Sequence, residues 1–199
     1  MTIDDVQKRI DDTNGEPFLT GKLLIAMPGI GDPRFDKTVI YMCAHSDEGA
    51  MGIVVNREFE ELSFPDLLEQ LNIMPVPSVE PIQVQFGGPV ESGRGFVLHS
   101  QDYMHDGSLV VDENIALTAT VDILREIADG GGPRQRMLAL GYAGWGPGQL
   151  DAEIRSNGWL HVDADSNIVF DAALDDKWSL AMGKIGIDPR MLSDTAGHA

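Results

Sequence analysis

The sequence predicts an α+β fold built around one core. Strand-like apolar runs interleave irregularly with amphipathic helical segments, instead of alternating in the regular order of a doubly wound parallel sheet. Two early runs are joined by a short polar turn, so they pair as a hairpin. Two long segments rich in glycine and proline, Ala26 to Arg57 and Leu140 to Leu160, link strands and demand special backbone geometry.

Taken in order, residues 1–17 are polar, end in Asn14–Gly15–Glu16–Pro17, and read as an arm before a single domain over 18–192. Leu23 to Met27 is a continuous apolar run, the pattern of a strand covered on both faces. Pro28 to Pro33 stops it with turn chemistry. Thr38–His45 and Met51–Val55 flank the turn Ser46–Asp47–Glu48–Gly49 and read as the hairpin. Ser63 is a good N-cap with Asp66 three residues on, which predicts a helix over 64–71. Val84–Phe86, Phe96–Leu98 and Leu109–Val111 read as short strands. Thr120–Asp129 places Val121, Leu124, Ile127 and Ala128 on one helical face, and Gly130–Pro133 ends it. Met137–Tyr142 reads as a strand and Gln149–Asn157 as a helix. Trp159–Val162 and Ile168–Phe170 read as a closing hairpin, and Leu174–Lys184 as a last amphipathic helix. Residues 193–199 read as a frayed tail.

The chain has 199 residues, 43% of them hydrophobic, so it buries a core without staples. It has no apolar run long enough to span a membrane and no signal-type N-terminus, and its one cysteine excludes an intramolecular disulfide. A cytoplasmic protein is expected. Its 32 acidic residues against 14 basic ones give a formal charge of −18, which keeps it in solution and repels nucleic acid and anionic lipid. The one local basic cluster is Arg125, Arg134 and Arg136, a poor phosphate footprint against that background. Direct nucleic-acid binding and a membrane partner are therefore disfavoured, and a protein partner is the expected one.

Candidate chemistry is sparse. Strand alternation places Tyr41, Cys43 and His45 on one face. A charged imidazole near a thiol lowers its pKa, so Cys43 with His45 is a candidate reactive pair. Same-face neighbours lie about 7 Å apart, and a lone cysteine more often serves as a small buried hydrophobe. Pro28–Pro33 lacks the pattern of a phosphate-binding loop, and its two prolines remove amide donors. The five histidines show no metal-binding spacing, although the loop between His99 and His105 leaves their convergence in space open. Asp122, Glu126, Asp151 and Glu153 read as ordinary solvated helix residues. Trp145, inside Gly144–Gly148, either stands out as an interaction anchor or folds back over the core. No cofactor is expected.

PGIGDPRFDKTVIYMCAHSDEGAMGIVVNR, FGGPV (Phe86–Val90) and LGYAGWGPGQLDAEIRSNGWL occur in an order that resembles the YqgE/AlgH family of bacterial proteins, over Leu19 to Ile187. The resemblance implies a strongly bent, bifurcated mixed or antiparallel sheet closing toward a pseudo-barrel, with helices packed outside. It also implies a label of uncharacterised protein and regulator of transcription, with no catalytic residue to carry over. Cys43 matches a cysteine position in the family's first motif. The expectation is thus a non-enzymatic regulatory or interaction module acting through a partner, with Phe35, Arg57 and Trp145 as candidate contact residues. The alternative is a thiol-based redox sensor or small enzyme using Cys43.

Overall fold

A computed structural model describes residues 18–28 and 30–188. The arm over 1–17, the stretch 189–192 and the tail at 193–199 lie outside the described residues. The described chain forms nine strands: β1 (Lys22–Ala26), β2 (Val39–Ser46), β3 (Gly49–Val54), β4 (Val84–Phe86), β5 (Val90–Ser100), β6 (Ser108–Val110), β7 (Ile115–Thr118), β8 (Arg136–Trp145) and β9 (Trp159–Asp163). Four α-helices accompany them: α1 (Phe64–Gln70), α2 (Val121–Ala128), α3 (Gln149–Arg155) and α4 (Leu174–Lys184). A 3₁₀ turn covers Pro33–Phe35 and a π turn Asn167–Asp171. Among the described residues no helix is long and apolar enough to cross a membrane.

All nine strands share one sheet in the order β6-β7-β5-β8-β3-β2-β1-β9, with β4 also pairing β8. Every pairing is antiparallel except β4 with β8. The sheet divides along β8. Met137 to Leu140 lie beside β5, and Leu138 to Leu140 also pair β4, whereas Ala143 to Trp145 pair β3. Glycine makes that division possible. Gly141 has φ +73°, and a Cβ there would lie 2.3 Å from the carbonyl oxygen of Gly88. A Cβ on Gly88 would in turn lie 2.0 Å from the Tyr142 carbonyl carbon. The FGGPV and LGYAG motifs therefore meet backbone to backbone, and Gly87 bonds both Val54 and Leu140 through its main chain, at 2.8 Å each.

The sheet is strongly curled into a half-barrel. Leu23, Ile25 and Tyr41 from one end of the strand order share a core with Phe96, Leu98 and Leu117 from the other, which a flat sheet would forbid. Along β1 the alternation sends Leu23 and Ile25 into this inner core, and Leu24 and Ala26 into an outer cluster. The run is thus covered on both faces, as its composition predicts. Helices α1 and α2 cover the outer face of β4, β5 and β8, and α3 covers β1–β3. Helix α4 contributes Trp178, Ala181 and Met182 to the inner core and closes the open side of the curl. The Trp178 indole donates to the Ala26 carbonyl at 2.9 Å. Buried Lys177 donates to the Val169 carbonyl at 2.6 Å, and burial pulls its pKa down to about 8 against the opposing pull of Asp171.

The expected hairpin of Trp159–Val162 with Ile168–Phe170 does not form. Strand β9 pairs with β1 instead, with Leu24 opposite His161. Ile168–Phe170 lies in the π turn, where the Asp165 carboxylate accepts the Ile168 N–H at 2.9 Å and buried Ile168 and Val169 face the core together. A three-residue apolar run has no period of its own, and the local cap decides it here. The capping box expected at Ser63 is present in full, with Asp66 reciprocating.

Candidate functional site

The thiol pair predicted by strand alternation is not brought together. Strand β2 carries an irregularity between Met42 and Ala44 in its register with β3. The extra residue puts Cys43 and Ala44 both into the inner core. His45 is thereby turned to the other face. Its ring packs edge-on to Phe18 with centroids 5.2 Å apart, and its Nε2 lies 3.8 Å from Asp151 Oδ1. The Leu19 N–H donates to His45 Nδ1 at 3.2 Å, which leaves the ring proton on Nε2. Burial lowers the His45 pKa, and Asp151 and Asp47 only partly oppose this. Cys43 is fully buried; desolvation, reinforced by the Asp112 charge, pushes its thiol far above the usual range. The same-face inference fails because it assumes an unbroken two-residue period.

A hydroxyl–imidazole contact that the sequence does not reveal joins Thr118 to His99, at 2.8 Å, across the β5–β7 pairing. His99 Nδ1 lies 2.9 Å from the Ser100 carbonyl, and Ser108 Oγ lies 2.7 Å from Thr118 Oγ1. Both Thr118 and His99 are fully buried, so this chain of hydrogen bonds is a satisfied polar link inside the sheet. His105 joins no metal site, and among the described residues no group of three or more His, Cys, Asp or Glu is placed to hold an ion.

The two Gly/Pro segments meet at a cleft of about 470 Å³. Its first wall comes from Ile30 to Phe35. Asp32 caps the 3₁₀ turn by accepting the Arg34 N–H at 3.0 Å, and it also holds the Arg34 guanidinium at 2.6–3.1 Å. These bonds lower the Asp32 pKa. Phe35 follows, half-buried, with its ring 5.6 Å from Trp159 at 69°. The second wall is Trp145 at the end of β8 and Trp159 at the start of β9, with rings 6.0 Å apart at 82°. Edge-to-face contacts of this kind fix ring orientation.

Helix α3 supplies the polar part. Gly146 N–H donates to Gln149 Oε1 at 3.0 Å, which sets the helix on its turn. One turn further on, Glu153 Oε2 accepts the indole N–H of Trp145 at 2.9 Å and of Trp159 at 2.8 Å, and its Oε1 accepts Gln149 Nε2 at 2.9 Å. Glu153 thus ties the two tryptophans together. By sequence Glu153 is an ordinary solvated helix acid; the one signal of its role is a glutamate on a short helical segment between two tryptophans.

Of the predicted contact residues, Phe35 and Trp145 both line this cleft. Trp145 folds back and is 7% exposed, so it is a wall of the cleft and not a protruding anchor. Arg57 is not among the residues lining the cleft. Its Nη2 donates to the Asp36 carbonyl at 2.8 Å and supports the 33–37 turn.

The family model described as AlgH-like matches residues 23–190. A UPF0301 protein of Rhodospirillum rubrum is 62% identical over 184 residues, covering 92% of this chain and 96% of that one. A UPF0301 protein of Bradyrhizobium diazoefficiens is 57% identical, covering 92% and 89%. Among solved structures, the solution structure of AlgH from Pseudomonas aeruginosa superposes with a TM-score of 0.77 at 39% identity, over 94% of this chain and 99% of that one. A protein of Corynebacterium diphtheriae, 20% identical with a TM-score of 0.64, shares the fold. By sequence match along most of its length and by its curled, divided sheet, the chain belongs to the AlgH-like (UPF0301) family.

Proposed function

We propose that this protein is a non-enzymatic cytosolic binding module that acts in regulation, including regulation of transcription, through a protein partner. Its recognition site is the cleft between the two Gly/Pro segments. The observation that supports this reading is convergence: the backbone segments with the strictest demands on sequence bring Phe35, Trp145, Trp159 and Glu153 to one opening. Aromatic walls with a few fixed polar groups are the composition of recognition pockets. Among the described lining residues Ser156 carries the one hydroxyl, and the nearby Glu153 carboxylate is engaged by both indoles and Gln149. Thiol chemistry is not favoured, because the β2 bulge separates Cys43 from His45 and buries the sulfur.

The test is affinity capture with variants. Phe35→Ala is expected to weaken specific partner retention by at least about tenfold, the size of an interface anchor. Leu180→Ala, exposed on α4, is the control and is expected to retain it. Unchanged retention by the Phe35 variant places recognition elsewhere.

A further inference from the structure

The chemistry of the cleft points to the charge of what enters it. Resting on the binding reading above, we propose that the cleft receives a basic side chain, arginine or lysine, presented by an extended segment of the partner. Among the described residues, the charged ones lining the cleft are Asp32, Arg34 and Glu153. Asp32 already holds the Arg34 guanidinium in a two-oxygen clasp, so these charges offset each other. Glu153 is left as the net charge that the described residues bring to the opening.

A carboxylate offers about four acceptor sites. Glu153 uses two on Oε2 for the indoles and one on Oε1 for Gln149, which leaves one acceptor site. A cationic N–H donor satisfies that site with a charge-assisted bond, the stronger kind. A neutral apolar group would desolvate it without replacement. The aromatic walls fit the same ligand, since ring faces attract cations. The Arg34 guanidinium carbon already lies 5.9 Å from the centre of the Phe35 ring. At long range the charge of −18 draws a basic segment in and turns an acidic one away. The volume of about 470 Å³ holds a guanidinium together with flanking peptide.

The three tryptophans supply the readout. Trp145 and Trp159 donate their indole N–H groups to Glu153, whereas Trp178 donates to the Ala26 carbonyl in the core. The ¹⁵N-labelled full chain is titrated with a capped Gly-Arg-Gly-Arg-Gly peptide and with its Lys, Gln and Glu counterparts. The Arg and Lys peptides are expected to move the Trp145 and Trp159 indole signals and leave that of Trp178 in place. The Gln peptide is expected to bind at least tenfold more weakly. Glu153→Gln is expected to abolish the preference, while Asp122→Asn, on α2 and outside the cleft, keeps it. Equal shifts from the Gln or Glu peptide overturn the charge assignment and leave the cleft as a recognition site. Equal weakening by the two variants overturns it in favour of a diffuse field. If no peptide moves either cleft indole, the cationic ligand is excluded; failure of Phe35→Ala to release a captured partner is what removes the cleft itself. Should Glu153→Gln not fold, the indole shifts of the unmodified chain decide.

Discussion

Cys43 shows how much one inserted residue changes. Read as a regular strand, Tyr41–His45 puts a thiol and an imidazole on the same face. The β2 bulge sends Cys43 inward with Ala44 and sends His45 outward to Phe18 and Asp151. Nothing in Met42–Cys43–Ala44 announces the bulge, because all three residues are small or apolar and no glycine marks it. The chemical consequence is direct. A thiol with its pKa driven upward by burial, and no path to solvent, is inert. Iodoacetamide is expected to modify Cys43 at least about a hundredfold more slowly than a free thiol, through opening of the fold alone. Mass spectrometry across a denaturant series checks this: modification should track unfolding. Rapid labelling of the folded protein would restore the thiol reading. Glu153 is the opposite case. Sequence gives it an exposed helical position, and only the placement of Trp145 and Trp159 on separate strands makes it the tie of the cleft.

At the scale of elements, sequence pattern locates most pieces but not always their extent: β5 runs over Val90–Ser100, where Phe96–Leu98 alone reads as strand. Helix α4 and strand β4 have the expected bounds, and α1 and α2 differ in extent only at their ends, but α2 turns Val121 out to solvent and buries Ile123 beside Leu124, Ile127 and Ala128. Two short pieces depart from expectation because neighbours, not their own residues, decide them. Strand β7 has four residues after a polar Asp112–Asn114 turn, and its identity comes from pairing with β5 and β6. Ile168–Phe170 resembles a strand by composition but is a helical turn by its cap. The glycines of FGGPV and LGYAG were legible as demanding positions, but their purpose was not: they form the place where β8 changes partners. That purpose is testable. Gly141→Ala forces a left-handed φ on alanine and sets its Cβ 2.3 Å from the Gly88 oxygen. A destabilisation of at least about 2 kcal/mol is expected from backbone strain and overlap combined. At Gly93 an added Cβ meets nothing within 4 Å, so Gly93→Ala is expected to be neutral or slightly stabilising. Urea denaturation of both variants measures the contrast, and equal stabilities would remove the close approach as the reason for glycine at 141.

For the molecule as a whole, the fold class is legible because irregular element order and the early β2–β3 hairpin argue against parallel α/β layering, and because three motifs stand in family order. The cleft was legible only as two unexplained Gly/Pro segments, since its walls come from stretches more than 100 residues apart. Charge acts at this same scale and sets a limit on any regulatory role. The one basic cluster is already engaged by its surroundings. Arg125 pairs with Asp122 at 2.6 Å, Arg134 with Asp102 at 3.1 Å, and Arg136 donates to the Gly131 and Pro133 carbonyls. Binding phosphates there would require giving up those partners while working against a charge of −18. Duplex DNA and single-stranded RNA are therefore expected to show no retarded band with this protein even at about 20 mM salt, where phosphate contacts are strongest. A band whose intensity falls steeply with added salt would mean that these arginines exchange their carboxylate and carbonyl partners for phosphate. Regulation would then run through nucleic acid directly. Absence of a band, combined with arginine-dependent shifts of the Trp145 and Trp159 indoles, favours recognition of a basic protein segment over direct contact with nucleic acid.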